Sequence, residues 1–158
     1  MTSPQSPGGP PRSQASAEAD PSAADLPGMR GITHLSLSVR DLERSAAFYR
    51  EVLGLRVLVP PFERSGAYRE TILALPDGTG LCLQEHAAND GSTFSESRTG
   101  LDHVAFSVPD RADLDRWGAR LDALGLPYDW QPDNAFGSML VFRDPDHIQL
   151  ELHTLLRS

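Results

Sequence analysis

Apolar and polar residues alternate along His34-Leu35-Ser36-Leu37-Ser38-Val39. The strand period puts Leu35, Leu37 and Val39 on one face and His34, Ser36 and Ser38 on the other. The alternation returns at His103-Val104-Ala105-Phe106-Ser107-Val108, again opened by a histidine. In both places an aspartate follows seven positions after the histidine (Asp41, Asp110), then an amphipathic stretch, then Gly-Leu. A pattern stated twice in this order predicts two copies of one supersecondary unit.

In the first copy, helical spacing predicts a helix over Leu42 to Leu53. Asp41 caps it, Gly54 ends it, and Leu42, Ala46, Tyr49, Val52 and Leu53 face inward. Strands follow over Leu55 to Val59, stopped by Pro60-Pro61, and over Ala67 to Leu75, closed by Pro76-Asp77-Gly78. A fourth runs from Gly80 to His86, with Leu81 and Leu83 opposite Cys82, Gln84 and His86. The second copy repeats the order: a strand over His103 to Val108, then a helix capped by Asp110 and ended by Gly125. Leu114, Trp117, Leu121 and Leu124 form the buried stripe of that helix. Its strands are Leu126 to Trp130, Gly137 to Phe142 and His147 to His153, the last after the turn Asp144-Pro145-Asp146. Each copy therefore reads β-α-β-β-β. The expected class is α+β, two βαβββ modules in tandem forming a curved mixed sheet around a cavity. Module one spans about 31–86, a polar linker 87–99, and module two about 100–153.

The two proline turns align the copies. Cys82 lies six positions after Pro76, and Glu151 six positions after Pro145. Equivalent residues of a duplicated unit gather around a pseudo-two-fold axis, so His34, Cys82, His103 and Glu151 are expected to converge. Two imidazoles and one carboxylate are a ligand set for a borderline divalent metal: iron, manganese, zinc or nickel. Cys82 is either a fourth ligand as thiolate or a small apolar filler. Gln149 and His153 share the face of Glu151, as second-layer groups, substrate contacts or solvated side chains. Ser36, Ser38 and Ser107 lack the sequence context of an activated nucleophile.

Composition narrows the partners. Net charge is -8 and the pI about 5.0, with no basic cluster, which fits neither nucleic acid nor an anionic membrane surface. No apolar run approaches the roughly 20 residues of a membrane helix. The single cysteine excludes an intrachain disulfide and suits a reducing cytoplasm. Residues 1 to 28 are Pro, Ser, Ala, Gly and Asp with little to bury, and read as a disordered tail without the apolar centre of a secretory signal.

The run from Gly31 to Leu55, with its His34-Leu-Ser-Leu-Ser-Val-Arg-Asp41 core, resembles the opening module of the vicinal oxygen chelate superfamily. That group includes glyoxalases, extradiol dioxygenases, methylmalonyl-CoA epimerases, and fosfomycin and bleomycin resistance proteins. Leu101 to Val108 and Phe142 to His153 resemble the start and close of its second module. The resemblance implies a metal held where His34, His103 and Glu151 stand, acting as Lewis acid on a small substrate that chelates through adjacent oxygens. It also implies a homodimer. Glyoxalases and epimerases place Glu, Gln or His where Cys82 stands. Extradiol dioxygenases and fosfomycin transferases use His, His and Glu, as here. The latter also carry a lysine near Gln131, a serine near Ala135, a tyrosine near Val141 and an arginine beyond Ser158, contacts to a phosphonate that this chain lacks. Gln149, Tyr49 and Cys82 are candidate pocket residues, and Trp130 and Phe136 candidate walls. The competing expectation is a metal-free protein of bleomycin-resistance type that sequesters a drug or metabolite.

Overall fold

The computed structural model describes residues 28–134 and 137–155. The tail expected over residues 1–28 lies, but for its last residue, outside them, as does Phe136. The order is β1 (His34–Ser38), α1 (Leu42–Leu53), β2 (Arg56–Arg64), β3 (Tyr68–Ala74) and β4 (Gly80–His86). It continues with β5 (His103–Ser107), α2 (Arg111–Ala123), β6 (Tyr128–Asn134), β7 (Gly137–Arg143) and β8 (Gln149–Leu155). The strands form two four-stranded sheets, β1-β4-β3-β2 and β5-β8-β7-β6. In each, the first strand pairs parallel with the last and the rest are antiparallel. The fold is the α+β tandem of βαβββ modules, with the sheets separate and open. β1 and β5 each end a sheet, with one side unpaired.

Local signals set most boundaries. The Asp41 carboxylate accepts the Arg44 N–H at 2.9 Å, and Asp110 accepts that of Asp113 at 2.8 Å, so both helices start at their caps. Gly54, at φ 70°, closes α1 in the left-handed conformation.

Three strands differ from expectation. Pro60 and Pro61 do not stop β2, which runs on to Arg64. β2 is an edge strand, and its register shifts around the prolines, between Val57 and Val59 and again between Val59 and Phe62. A bulged edge tolerates residues that cannot donate to a ladder. β6 begins at Tyr128 because the Leu126 N–H turns back to the Leu121 carbonyl, 3.0 Å away. β8 begins at Gln149 because His147 takes a left-handed φ of 67° and the Ile148 N–H binds the Asp144 carboxylate at 2.8 Å.

One apolar core serves both modules. Leu37, Val39, Leu42, Leu81 and Leu83 of the first join Leu114, Leu121, Leu140, Leu150 and Leu152 of the second. Each such side chain contributes about 1.5–3 kcal/mol on burial.

A polar clasp fixes the modules to each other. The buried Tyr49 hydroxyl donates to Asp144 Oδ2 at 3.0 Å. Asp146 accepts the Arg40 Nε–H at 2.6 Å, the Arg40 backbone N–H at 3.1 Å and the Ser45 hydroxyl at 3.3 Å. Arg120 donates to the Val52 carbonyl at 2.8 Å and also to that of Glu51. Burial, with the Asp144 charge behind it, holds the Tyr49 hydroxyl protonated far above its ordinary range. Burial likewise raises the Asp144 carboxyl. With the apolar faces turned toward this seam, the polar faces of β1 and β5 are exposed. No helix among the described residues is long and apolar enough to cross a membrane.

Candidate metal centre

Strand register places the candidate ligands. β1 on β4 pairs His34 with Gly80 and Ser36 with Cys82; β5 on β8 pairs His103 with Gln149 and Ala105 with Glu151. Cys82 and Glu151 thus occupy the same position in their modules, as do His34 and His103.

In module two the two candidate ligands come together. His103 Nε2 stands 3.6 Å from Glu151 Oε2, and His103 Nδ1 lies 2.8 Å from Asp102 Oδ1. Gln149 Nε2 donates to the other Glu151 oxygen at 3.3 Å. Ionised Asp102 only accepts, so Nδ1 carries the ring proton. In the neutral ring, Nε2 then presents a lone pair to a carboxylate oxygen at a separation too long for a hydrogen bond. A cation shared between them, whether a proton or a metal ion, joins the two. A histidine oriented by a carboxylate on its far nitrogen is the usual second layer of a metal ligand. Glu151 is buried while His103 is 40 % exposed, so the pair opens to solvent on one side. The donor set fits a divalent ion.

The Nδ1 of His34 lies 3.1 Å from the Thr33 hydroxyl, and the residue is exposed. Among the described residues no three His, Cys, Asp or Glu side chains of one chain converge on a common ion position. Cys82 is buried, and burial raises its thiol above the ordinary range. The Ser36 hydroxyl opposes that shift and the Glu70 charge reinforces it. A neutral thiol is therefore the resting form.

The remaining candidates divide by face. Gln149 is on the metal face. His153, two residues beyond Glu151 on that face, is the one described residue with a buried side-chain polar atom, Nε2, lacking a partner. Tyr49 is on the opposite side, fully buried in the inter-module clasp, where helical spacing put it as core. Trp130 pairs with Leu140 and lies beneath the Arg111 guanidinium at 4.3 Å, also away from the metal face.

One acid escaped the sequence reading. Glu70 of β3 is buried, pairs with Gln84 and accepts its side-chain N–H at 3.0 Å; Arg64 Nε stands 3.9 Å from its second oxygen. Strand alternation puts Glu70 and Ile72 on the face of Cys82, a signal readable only once the register of β3 on β4 is known.

A cleft of about 320 Å³ opens on the metal face of module two, and its polar lining comes from Asp129, Gln131, Arg143 and Gln149. A larger, mostly apolar cleft of about 380 Å³, bounded by Leu53, Leu55, Phe106, Trp117 and Leu152, contains none of the candidate ligands.

Residues 31–152 match the family described as the glyoxalase/bleomycin resistance protein/dioxygenase superfamily, and the chain belongs to it. It is 32% identical over 125 residues to glutathione transferase FosA of Serratia marcescens, covering 79% of this chain and 81% of that one. It is 30% identical over 131 residues to the fosfomycin resistance protein FosX of Mesorhizobium japonicum, covering 80% and 86%. Among solved structures, a glyoxylase/bleomycin resistance protein/dioxygenase domain from Frankia sp. EAN1pec superposes with a TM-score of 0.74 at 36% identity, covering 81% of this chain and 99% of that one.

Proposed function

We propose that the protein is a divalent-metal-dependent enzyme of the vicinal oxygen chelate type acting on a small organic substrate in the cytoplasm. The observation carrying this reading is the approach of His103 Nε2 to Glu151 Oε2 at 3.6 Å, with Asp102 on the far ring nitrogen and Gln149 on the other glutamate oxygen. The third ligand is His34 of a second copy. β1 and β5 each offer an unpaired edge, and the two histidines head these edges on exposed faces. In a two-fold dimer each contact occurs twice, giving two equivalent sites.

A divalent ion held by His103, Glu151 and His34 of a second copy would supply Lewis acidity toward negative charge developing on substrate oxygens. The chain's own groups set the stage for that chemistry. Asp102 holds the His103 proton on Nδ1, leaving Nε2 free to ligate. Gln149 fixes one oxygen of Glu151 and so orients the other. Glu70, buried and held by Gln84, is a carboxylate able to accept a proton on the opposing face. Gln131 and Val141 stand near the positions where fosfomycin enzymes carry a lysine and a tyrosine, which argues against a phosphonate substrate.

Elemental analysis of untagged, dialysed protein tests this reading. It predicts about one divalent ion per subunit, lost in His34→Ala, His103→Ala and Glu151→Ala. Wild-type protein that binds no divalent ion, and whose melting temperature is unmoved by adding one, would favour a sequestering protein instead.

A further inference from the structure

Arg143 ends β7 directly across from Gln149, which is itself across from His103. Two strand spacings separate Arg143 from His103, roughly 10 Å between backbones. Arg143 lines the polar cleft that Gln149 also borders, and lies close enough to Asp102 to feel its charge. One Arg143 nitrogen donates to the His147 carbonyl at 2.9 Å, which fixes the fork in place. The two terminal nitrogens then meet both oxygens of Glu96, at 2.8 and 3.2 Å.

Glu96 belongs to neither module. It sits on the linker, whose backbone is anchored two residues earlier: the Phe94 N–H donates to the Asp146 carbonyl at 3.0 Å, and the Phe94 ring packs against the core. Glu96 can therefore leave Arg143 by side-chain rotation alone, without the linker unfolding. Both partners are partly exposed, at 38% and 44%, so a competing carboxylate can reach the guanidinium from solvent. A ligand tethered at its other end to the metal competes for Arg143 at high effective concentration.

We propose that Arg143 is the recognition site for a distal carboxylate of the substrate, and that Glu96 of the linker is its built-in stand-in, displaced when substrate binds. The bidentate seat already holds a carboxylate, which defines the ligand class: a small acid with two adjacent chelating oxygens at one end and a carboxylate at the other. This rests on the metal-site reading above and adds to it the substrate class.

The test compares two probes by calorimetry on the Mn(II)-loaded protein. 2-Oxoglutarate and 2-oxopentanoate share a chelating end and a chain length, and only the first has a distal carboxylate. Wild type is expected to bind 2-oxoglutarate about tenfold more tightly, Arg143→Gln to bind both alike, and Glu96→Gln to widen the preference by about tenfold again. The metal-site variant Glu151→Ala should lose both. Equal binding of the two acids by wild type and Arg143→Gln overturns this inference while leaving the metal site intact. Binding of neither acid, with no manganese retained, overturns the metal reading and this inference with it.

Discussion

Glu96 and Arg143 are the residues whose charges respond most plainly to each other. The guanidinium holds the Glu96 carboxyl well below the ordinary glutamate value of 4.5, at about 2. A depressed carboxyl stabilises the fold in its ionised form, so its contribution is present above pH 4.5 and is lost as pH falls from there through about 2. The carboxyl carbon of Glu96, followed by NMR, should titrate near pH 2 in wild type and return toward the ordinary glutamate range in Arg143→Gln. A wild-type midpoint near 4.5 would mean that Glu96 is free in solution. Neither residue drew notice in the sequence, because their meeting depends on a linker folding back over a strand end. His103 and Glu151 were legible, since an internal repeat marks them by position. Glu70 was not, for it has no counterpart in the repeat and its face is set by cross-strand pairing.

Elements follow local rules where the chain is self-contained. α1 keeps the expected bounds Leu42–Leu53 because cap, apolar stripe and terminal glycine all lie within one segment. β2 and β8 depart because their limits are tertiary: an open edge accommodates Pro60-Pro61, and the Asp144 carboxylate organises the turn that delays β8 to Gln149. That carboxylate also ties α1 to module two through Tyr49, which read as a pocket residue as well as a core one and is buried at the seam. Tyr49→Phe keeps the ring and leaves a buried Asp144 oxygen without its donor. It should lower stability in urea by about 1–3 kcal/mol while leaving metal content unchanged. A loss of metal without a loss of stability would place Tyr49 in the site instead.

At the scale of the molecule, the clasp and the shared core bind the apolar faces of the two modules within one chain, leaving the first strand of each module with an unpaired edge and exposed polar positions. In the proposed site His103 and Glu151 supply two of three ligands, and among the described residues no third His, Cys, Asp or Glu completes a metal-holding group with them. In the proposed dimer a second copy would cover the edges and supply the third imidazole. Subunit mixing tests this most directly. His34→Ala and Glu151→Ala, each without metal alone, are unfolded together, refolded, and assayed for bound manganese. If the site is built across two chains, random mixing restores about one quarter of the wild-type metal per subunit, because half the dimers contain one intact site. If mixing restores none, the three ligands do not come from two subunits and the account fails.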